Sequence, residues 1–176
     1  MPKPTLTQVR SLGDLVTTDH YLFRVPALPP GISESSRNLG VKCINVSMPG
    51  VNNETIENKI HGHHHRQSGQ RTNTGTLQLE FVDSVSSFEI MPIFRKWHEL
   101  QAGTETGLSV GKDVYAVKAI VEHYSPQGTI LQTDVFENVF VRDIPELQLT
   151  GEGSQSARYS VGLAFDDFSS TTHINL

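Results

Sequence analysis

The sequence has a single cysteine, Cys43, so no disulfide can form within the chain. That fits maturation in a reducing compartment. Cys43 lies in the strand-like run VKCINVSM with no catalytic motif around it, and a structural, buried thiol is expected. Long apolar runs are also missing. No stretch approaches the ~18 residues of a membrane span. The opening MPKPTLTQVRSLGDL has no apolar centre after its early lysine, which argues against a secretory signal. The expectation is a soluble chain made inside a cell, with no membrane binding of its own.

Positive charge is scarce as well. Lys and Arg number 14 against 19 Asp and Glu, for a net charge of -5. A protein that grips nucleic acid needs clustered cations to neutralise phosphates. The deficit is uneven: residues 1–88 carry 8 basic and 7 acidic groups, residues 89–176 carry 6 and 12. Such polarity can draw copies of one chain together. Catalytic signatures are lacking too. There is no Gly-rich phosphate loop, no GxSxG and no HExxH. Asp166 and Asp167 are adjacent, and neighbours on a strand point to opposite faces, so they read as strand-end solvation rather than a catalytic pair. No enzymatic activity, cofactor or catalytic residue is expected.

What the sequence does contain is a period of two. In KCINVSM, Ile44, Val46 and Met48 oppose Cys43, Asn45 and Ser47. In TGTLQLEF, Leu77, Leu79 and Phe81 oppose Thr76, Gln78 and Glu80. In RYSVGLAF, Tyr159, Val161, Leu163 and Phe165 oppose Arg158, Ser160, Gly162 and Ala164. This is the mark of strands with one buried face. HYLFRV, VYAVKAIVEHY and ILQTDVFENVFV also read as strands, the last two joined by the turn SPQG. One segment differs. In SSFEIMPIFRKWHELQAG, Ile90, Ile93, Phe94, Trp97 and Leu100 form a helical stripe, the expected packing face against the sheet. Pro92 places the helix start near 88–91, with Ser86 or Ser87 as cap and Gly103 as stop.

The chain of 176 residues reads as one domain, 1–176. Residues 1–19 read as a peripheral N-terminal arm, 49–73 as a long polar loop and 169–176 as a C-terminal tail. One sheet and one helix cannot cover both faces of every strand. The second face, with Asn45, Ser47, Thr76, Gln78 and Glu80, must meet bulk water or the inside of a water-filled barrel built from several copies.

The order of these pieces resembles the tail tube protein of contractile-tailed, T4-like (myovirus) bacteriophages. The matching runs are HYLFRVPAL, KCINVSMPG, TGTLQLEFVDS, the helix ending FRKWHELQAG, the hairpin YAVKAIVEHYSPQGTILQTDVFENVFV and the ending IPELQLTGEGSQSARYSVGLAFDDF. They cover residues 20–168, and the resemblance is strongest in the last segment and in the spacing from Trp97 to Gly103. The resemblance implies a mainly β fold, an antiparallel β-sandwich or partial barrel with one packed α-helix. It implies that hexamers close this fold into an inner β-barrel and stack into a tube, as in type VI secretion tubes, and that residues 49–73 are a long inter-subunit loop or extended hairpin. The implied partners are other copies of itself, a contractile sheath outside, a tape-measure protein and transiently DNA in the lumen, and baseplate tube-initiator proteins. The implied location is the virion tail, assembled in the host cytoplasm. Asn45, Ser47, Thr76, Gln78 and Glu80 are then the expected lumen-facing set, hydrated and weakly repelling phosphate. A related contractile injection or type VI secretion tube, or a baseplate-proximal tube protein, is the alternative. A monomeric binding module is a third reading.

HGHHHRQSGQR puts four histidines within five positions, 61 to 65. Imidazoles spaced i, i+2 on a flat strand stand roughly 6–7 Å apart, too far to chelate one ion without a bend or a second chain. No metal site is expected. Lys59, His61, His63, His64, His65, Arg66 and Arg71 read instead as a basic loop meeting an acidic surface (Glu146, Glu152, Asp166, Asp167) on an adjacent subunit or ring.

Overall fold

The computed structural model describes residues 18–32, 36–83, 88–102, 109–146 and 156–173. All strand pairings among them are antiparallel. The strands are β1 (Tyr21–Arg24), β2 (Cys43–Ser47), β3 (Val51–Ile60), β4 (His63–Asn73), β5 (Thr76–Val82), β6 (Val117–Tyr124), β7 (Ile130–Asp143), β8 (Arg158–Ala164) and β9 (Asp167–Thr172). The helices are α1 (Arg37–Lys42), α2 (Ile90–Glu99) and α3 (Lys112–Tyr115). The main sheet runs β1-β6-β7-β8-β5-β2, with β9 also on β7; β3 and β4 form a separate hairpin.

β7 is the hinge of this architecture. Its first part pairs with β6 and β9, and its last residues, Phe140 to Asp143, pair with β8. Between the two parts the register with β6 shifts, and Asn138 adopts φ 54. A bulge of this kind bends a strand and raises its twist, so one long strand can serve two layers. Asn was a permissive choice, because it tolerates the left-handed region better than a branched side chain does. Asn138 also donates to Asp166 Oδ2 at 2.9 Å, and Lys112 bonds the other oxygen of Asp166. These bonds hold the Asp166 carboxyl below its ordinary value, the lysine contributing most.

The alternating residues meet as the pattern requires. Phe23, Leu77, Leu79, Phe81, Val121, Phe136, Val141, Val161 and Leu163 are all buried in one core. α2 covers the core face of the β5 side: Phe94 packs on Phe81 with ring centroids 5.1 Å apart, and Trp97 stacks on Phe94. The indole N–H of Trp97 donates to the Tyr115 carbonyl at 2.8 Å, so the largest core side chain leaves no polar atom unpaired. Ile90, Ile93, Phe94 and Trp97 are fully buried. Each such side chain contributes roughly 1.5–3 kcal/mol by leaving water. Leu100 departs from the expected stripe. It follows the last helical turn and is half-buried.

Several local expectations are corrected. The N-cap residue Glu89 makes no side-chain cap bond. The cap comes from β5's end, where Asp83 Oδ2 accepts the N–H groups of Glu89 (3.1 Å) and Ile90 (3.0 Å). Ser86, Ser87 and Gly103 lie outside the described residues. The start of VYAVKAIVEHY is the single turn α3, and the strand begins only at Val117. α1 is a helix that the alternation did not announce; it buries Leu39, and Gly40 approaches β1 so closely that a Cβ there would sit 2.6 Å from the Phe23 carbonyl oxygen. Residues 169–172, expected in a peripheral tail, form most of β9 on β7. In β2 a register shift between Cys43 and Asn45 breaks the alternation. Cys43 is therefore buried on the core side, while Ile44 and Met48 are exposed.

Candidate assembly surfaces

Four strand segments, β2, β5, β8 and the end of β7, present one continuous polar face. Register places Asn45 beside Glu80 and Ser47 beside Gln78. It then places Thr76, Gln78 and Glu80 beside Ala164, Gly162 and Ser160. Residues opposite one another across a ladder share a face. All five residues expected on the polar face are thus brought together, with Asn45, Ser47 and Gln78 exposed and Thr76 and Glu80 half-buried. Two cations join them that strand parity alone did not assign to this group. Arg142 Nη1 donates to Thr76 Oγ1 at 2.8 Å, and Arg158 Nη1 lies 3.5 Å from Glu80 Oε1. Arg142 Nε also lies 3.4 Å from Oδ1 of Asp143, which stands opposite Gly162, so the two cations of this face are matched by two carboxylates. Arg158 was visible in RYSVGLAF, but its pairing needed the β5–β8 register.

This face has open borders. Among the described residues β2 pairs only with β5, and the end of β7 only with β8. At the other end of the order, β1 pairs only with β6. β1 and β2 do not pair with each other, so the sheet curls without closing. One bond crosses the gap, from the Tyr21 hydroxyl to the Cys43 carbonyl at 3.4 Å. Beside it lies a cleft of about 820 Å³, lined in part by Tyr21, Val41, Ile44, Met48 and His123. The Cys43 thiol at its floor is pushed up to about 12 by burial, which makes it a poor nucleophile.

The histidine run sits at the end of the β3–β4 hairpin. Of the two forms expected, loop or extended hairpin, the segment is a hairpin: residues 51–60 and 63–73 form a ladder with Ile60 opposite His63. His61 (φ 49) and Gly62 (φ 85) make a two-residue turn of type I′, the form whose twist suits a hairpin. His61 therefore lies in the turn, off the strand face that carries His63 and His65. The two faces of the ribbon differ chemically. One carries Ile56, Asn58 and Ile60 with Gln67, His65 and His63 opposite them. The other carries Glu57 and Lys59 with Arg66 and His64 opposite. There Glu57 takes His64 Nδ1 at 2.6 Å and Arg66 Nη2 at 3.3 Å. Arg71, near the hairpin base, places its guanidinium 5.6 Å from the Phe168 ring centre. Among the described residues no three His, Cys, Asp or Glu side chains are grouped to hold a metal ion. Of the acidic residues named as the hairpin's counterpart, Asp166 is already engaged by Lys112 and Asn138, and Glu152 lies outside the described residues.

No protein-family model matches this sequence. No curated protein matches it either. Solved structures do share its fold. The tube–sheath complex of an extracellular contractile injection system, PVC, in its extended state superposes with a TM-score of 0.64 at 13% identity, over 97% of this chain and 99% of that one. A chain of the anti-feeding prophage (AFP) baseplate gives 0.65 at 11% identity, over 91% and 97%. Hcp1 from Salmonella typhimurium gives 0.50 at 8% identity, over 87% and 85%. The chain has the mainly β antiparallel fold of such tube proteins, and the match spans nearly the full length of both partners. No helix among the described residues is long and apolar enough to cross a membrane.

Proposed function

We propose that this chain is the tube subunit of a contractile tail or injection particle, a structural protein and not an enzyme. The observation that carries this reading is the four-stranded polar face with an unpaired border at each side. An exposed strand edge is a template for pairing, and a ring of copies removes it by joining β2 of one to the β7 end of the next. The closed ring then has the polar face on its inner wall, with Asn45, Ser47, Thr76, Gln78 and Glu80 toward the bore. α2, on the opposite side of the sheet, lies toward the outer wall, where a sheath would run. Rings of six, stacked on one another and on baseplate initiator proteins, are the arrangement the resemblance to phage tail tubes implies. The AFP neighbour belongs to a particle described as 6-fold symmetrised, which supports the same number.

Two cargoes fit such a bore. In a phage tail it holds a tape-measure protein and then passes DNA; in an injection particle it delivers protein. The injection reading is favoured by the PVC and AFP neighbours. The phage reading is favoured by the order of sequence runs between 20 and 168.

Negative-stain imaging of the concentrated protein tests the tube. Annular particles or hollow rods are expected, and only single globules would refute the proposal. Nuclease-protected DNA recovered with particles purified from their source would decide for a virion tail; protein cargo without DNA would decide for injection.

A further inference from the structure

Register decides which backbone groups of the β7 end can meet another strand. The Phe165 N–H donates to the Gly75 carbonyl, one step beyond the pair of Thr76 with Ala164. Along a strand, the backbone groups of successive residues turn to opposite sides. Ala164 therefore turns to β7, and Phe140, opposite it, turns back to β8. Val141 comes next, so its carbonyl faces away from β8, toward the border that ring closure uses. β6 does not reach that carbonyl. It begins at Val117, opposite Val139, and the residues before it form α3.

A side chain fills the place instead. Gln101, two residues past the end of α2, donates its Nε2 to the Val141 carbonyl at 2.7 Å. We propose that Gln101 guards the β7 border: its carboxamide holds the Val141 carbonyl in the free chain and is displaced when a neighbouring copy pairs there. This rests on the ring reading above and adds the step that controls its closure.

The position of the bond suits a guard. Val141 is 0% exposed, so its carbonyl is closed to another chain while Gln101 stays in place. An uncovered border strand is a template for indiscriminate pairing. A buried carbonyl without a donor is also costly. One glutamine answers both problems in the unassembled chain.

The bond is also built to be exchanged. The backbone of Gln101 is fixed: its N–H donates to the His98 carbonyl at 3.2 Å, and its own carbonyl accepts the Val110 N–H at 3.3 Å. Ala102 then bridges Ser109. Release needs rotation of one side chain and no movement of α2. The contact joins one neutral amide to one carbonyl, the same chemistry that a strand N–H offers, so a neighbouring strand replaces it in kind. The opposite border of the polar face has a weaker counterpart, where the Tyr21 hydroxyl meets the Cys43 carbonyl at 3.4 Å.

Sedimentation velocity over a dilution series tests the guard with Gln101→Met, which keeps the bulk and removes the donor. Gln101→Asn, one methylene too short to reach Val141, is the second variant should the first fail to fold. Each strands the Val141 carbonyl in the free chain, and a neighbour's strand satisfies it in the ring. Rings should therefore form at a concentration about two- to tenfold lower than for wild type, while the monomer fraction melts at a lower temperature. A tie that persists in the ring would be lost equally from both states and would leave the assembly concentration unchanged. An unchanged or raised assembly concentration would overturn the guard and leave the ring reading standing. An unaltered monomer melting temperature would overturn it too, by showing that the free chain does not use the bond. Wild-type protein that stays monomeric throughout the series would remove the ring reading, and the guard with it.

Discussion

The ammonium of Lys42, the last residue of α1, lies 2.6 Å from Oδ1 of Asp83, the carboxylate that caps α2 through its other oxygen. Glu89 approaches the same ammonium at 3.0 Å. Asp83 is 3% exposed and Lys42 13%, so the pair is largely withdrawn from water. Three segments far apart in sequence are thus fastened at one point, and the Trp97-bearing helix is aimed onto the core from there.

Replacing Lys42 by Met should therefore destabilise the fold by roughly 3–5 kcal/mol, because it strands a buried carboxylate. The melting temperature measured near neutral pH checks this. Asp83→Ala should cost a similar amount and also uncap α2, visible as fraying of residues 90–92 in amide exchange.

Burial works against the charge of Lys42, but its hydrogen bonds to Asp83 and Glu89 outweigh it and raise the folded value above the ordinary 10.5. The stabilisation is accordingly complete below the unfolded value and is lost as pH rises through the folded one. The stability gap between wild type and Lys42→Met should stay constant from neutral pH to about 10 and narrow only beyond it. A gap that closes between neutral pH and pH 9 would contradict this assignment.

Gly162 faces Asp143 across the β7–β8 ladder, where any Cβ would collide with the Asp143 carboxylate. Asp143 Oδ1 lies 3.4 Å from Arg142 Nε but makes no hydrogen bond among the described residues. Gly162→Ala displaces the end of a side chain that is 42% exposed and should lower stability by about 1 kcal/mol. Asp143→Ser should recover most of that loss when the two are combined. A denaturation double-mutant cycle that shows simple additivity would disprove the contact.

The thiol of Cys43 should resist an aromatic disulfide reagent at pH 8 in the folded protein and react fully once denaturant is added. The cause is the burial that pushes it to about 12. Rapid labelling under native conditions would show that β2 opens locally.

At the hairpin turn, Gly62→Val places a branched side chain at φ 85. The cost is about 1–2 kcal/mol, borne by a ribbon that forms its own sheet. Limited proteolysis within 51–73 should accelerate while the melting temperature of the body hardly moves. Equal loss of both would mean that hairpin and body unfold as one unit.

The sequence alone determined which faces are apolar. Leu77, Leu79 and Phe81 alternate with Thr76, Gln78 and Glu80, and a strand's period of two leaves no other assignment once one face is buried. The same holds for the stripe of Ile90, Ile93, Phe94 and Trp97, which local helical geometry fixes. Tertiary structure decided what depends on partners distant in the chain. The bulge in β2 reversed the placing of Cys43. The register of β5 on β8 and the return of β7 brought Arg158 to Glu80 and Arg142 to Thr76. Asp83, from the end of β5, came to accept the first N–H groups of α2. Periodicity is a property of consecutive residues and can be read from them. Register shifts and long-range ion pairs are settled by the packing of whole layers, and no short window of sequence contains that information.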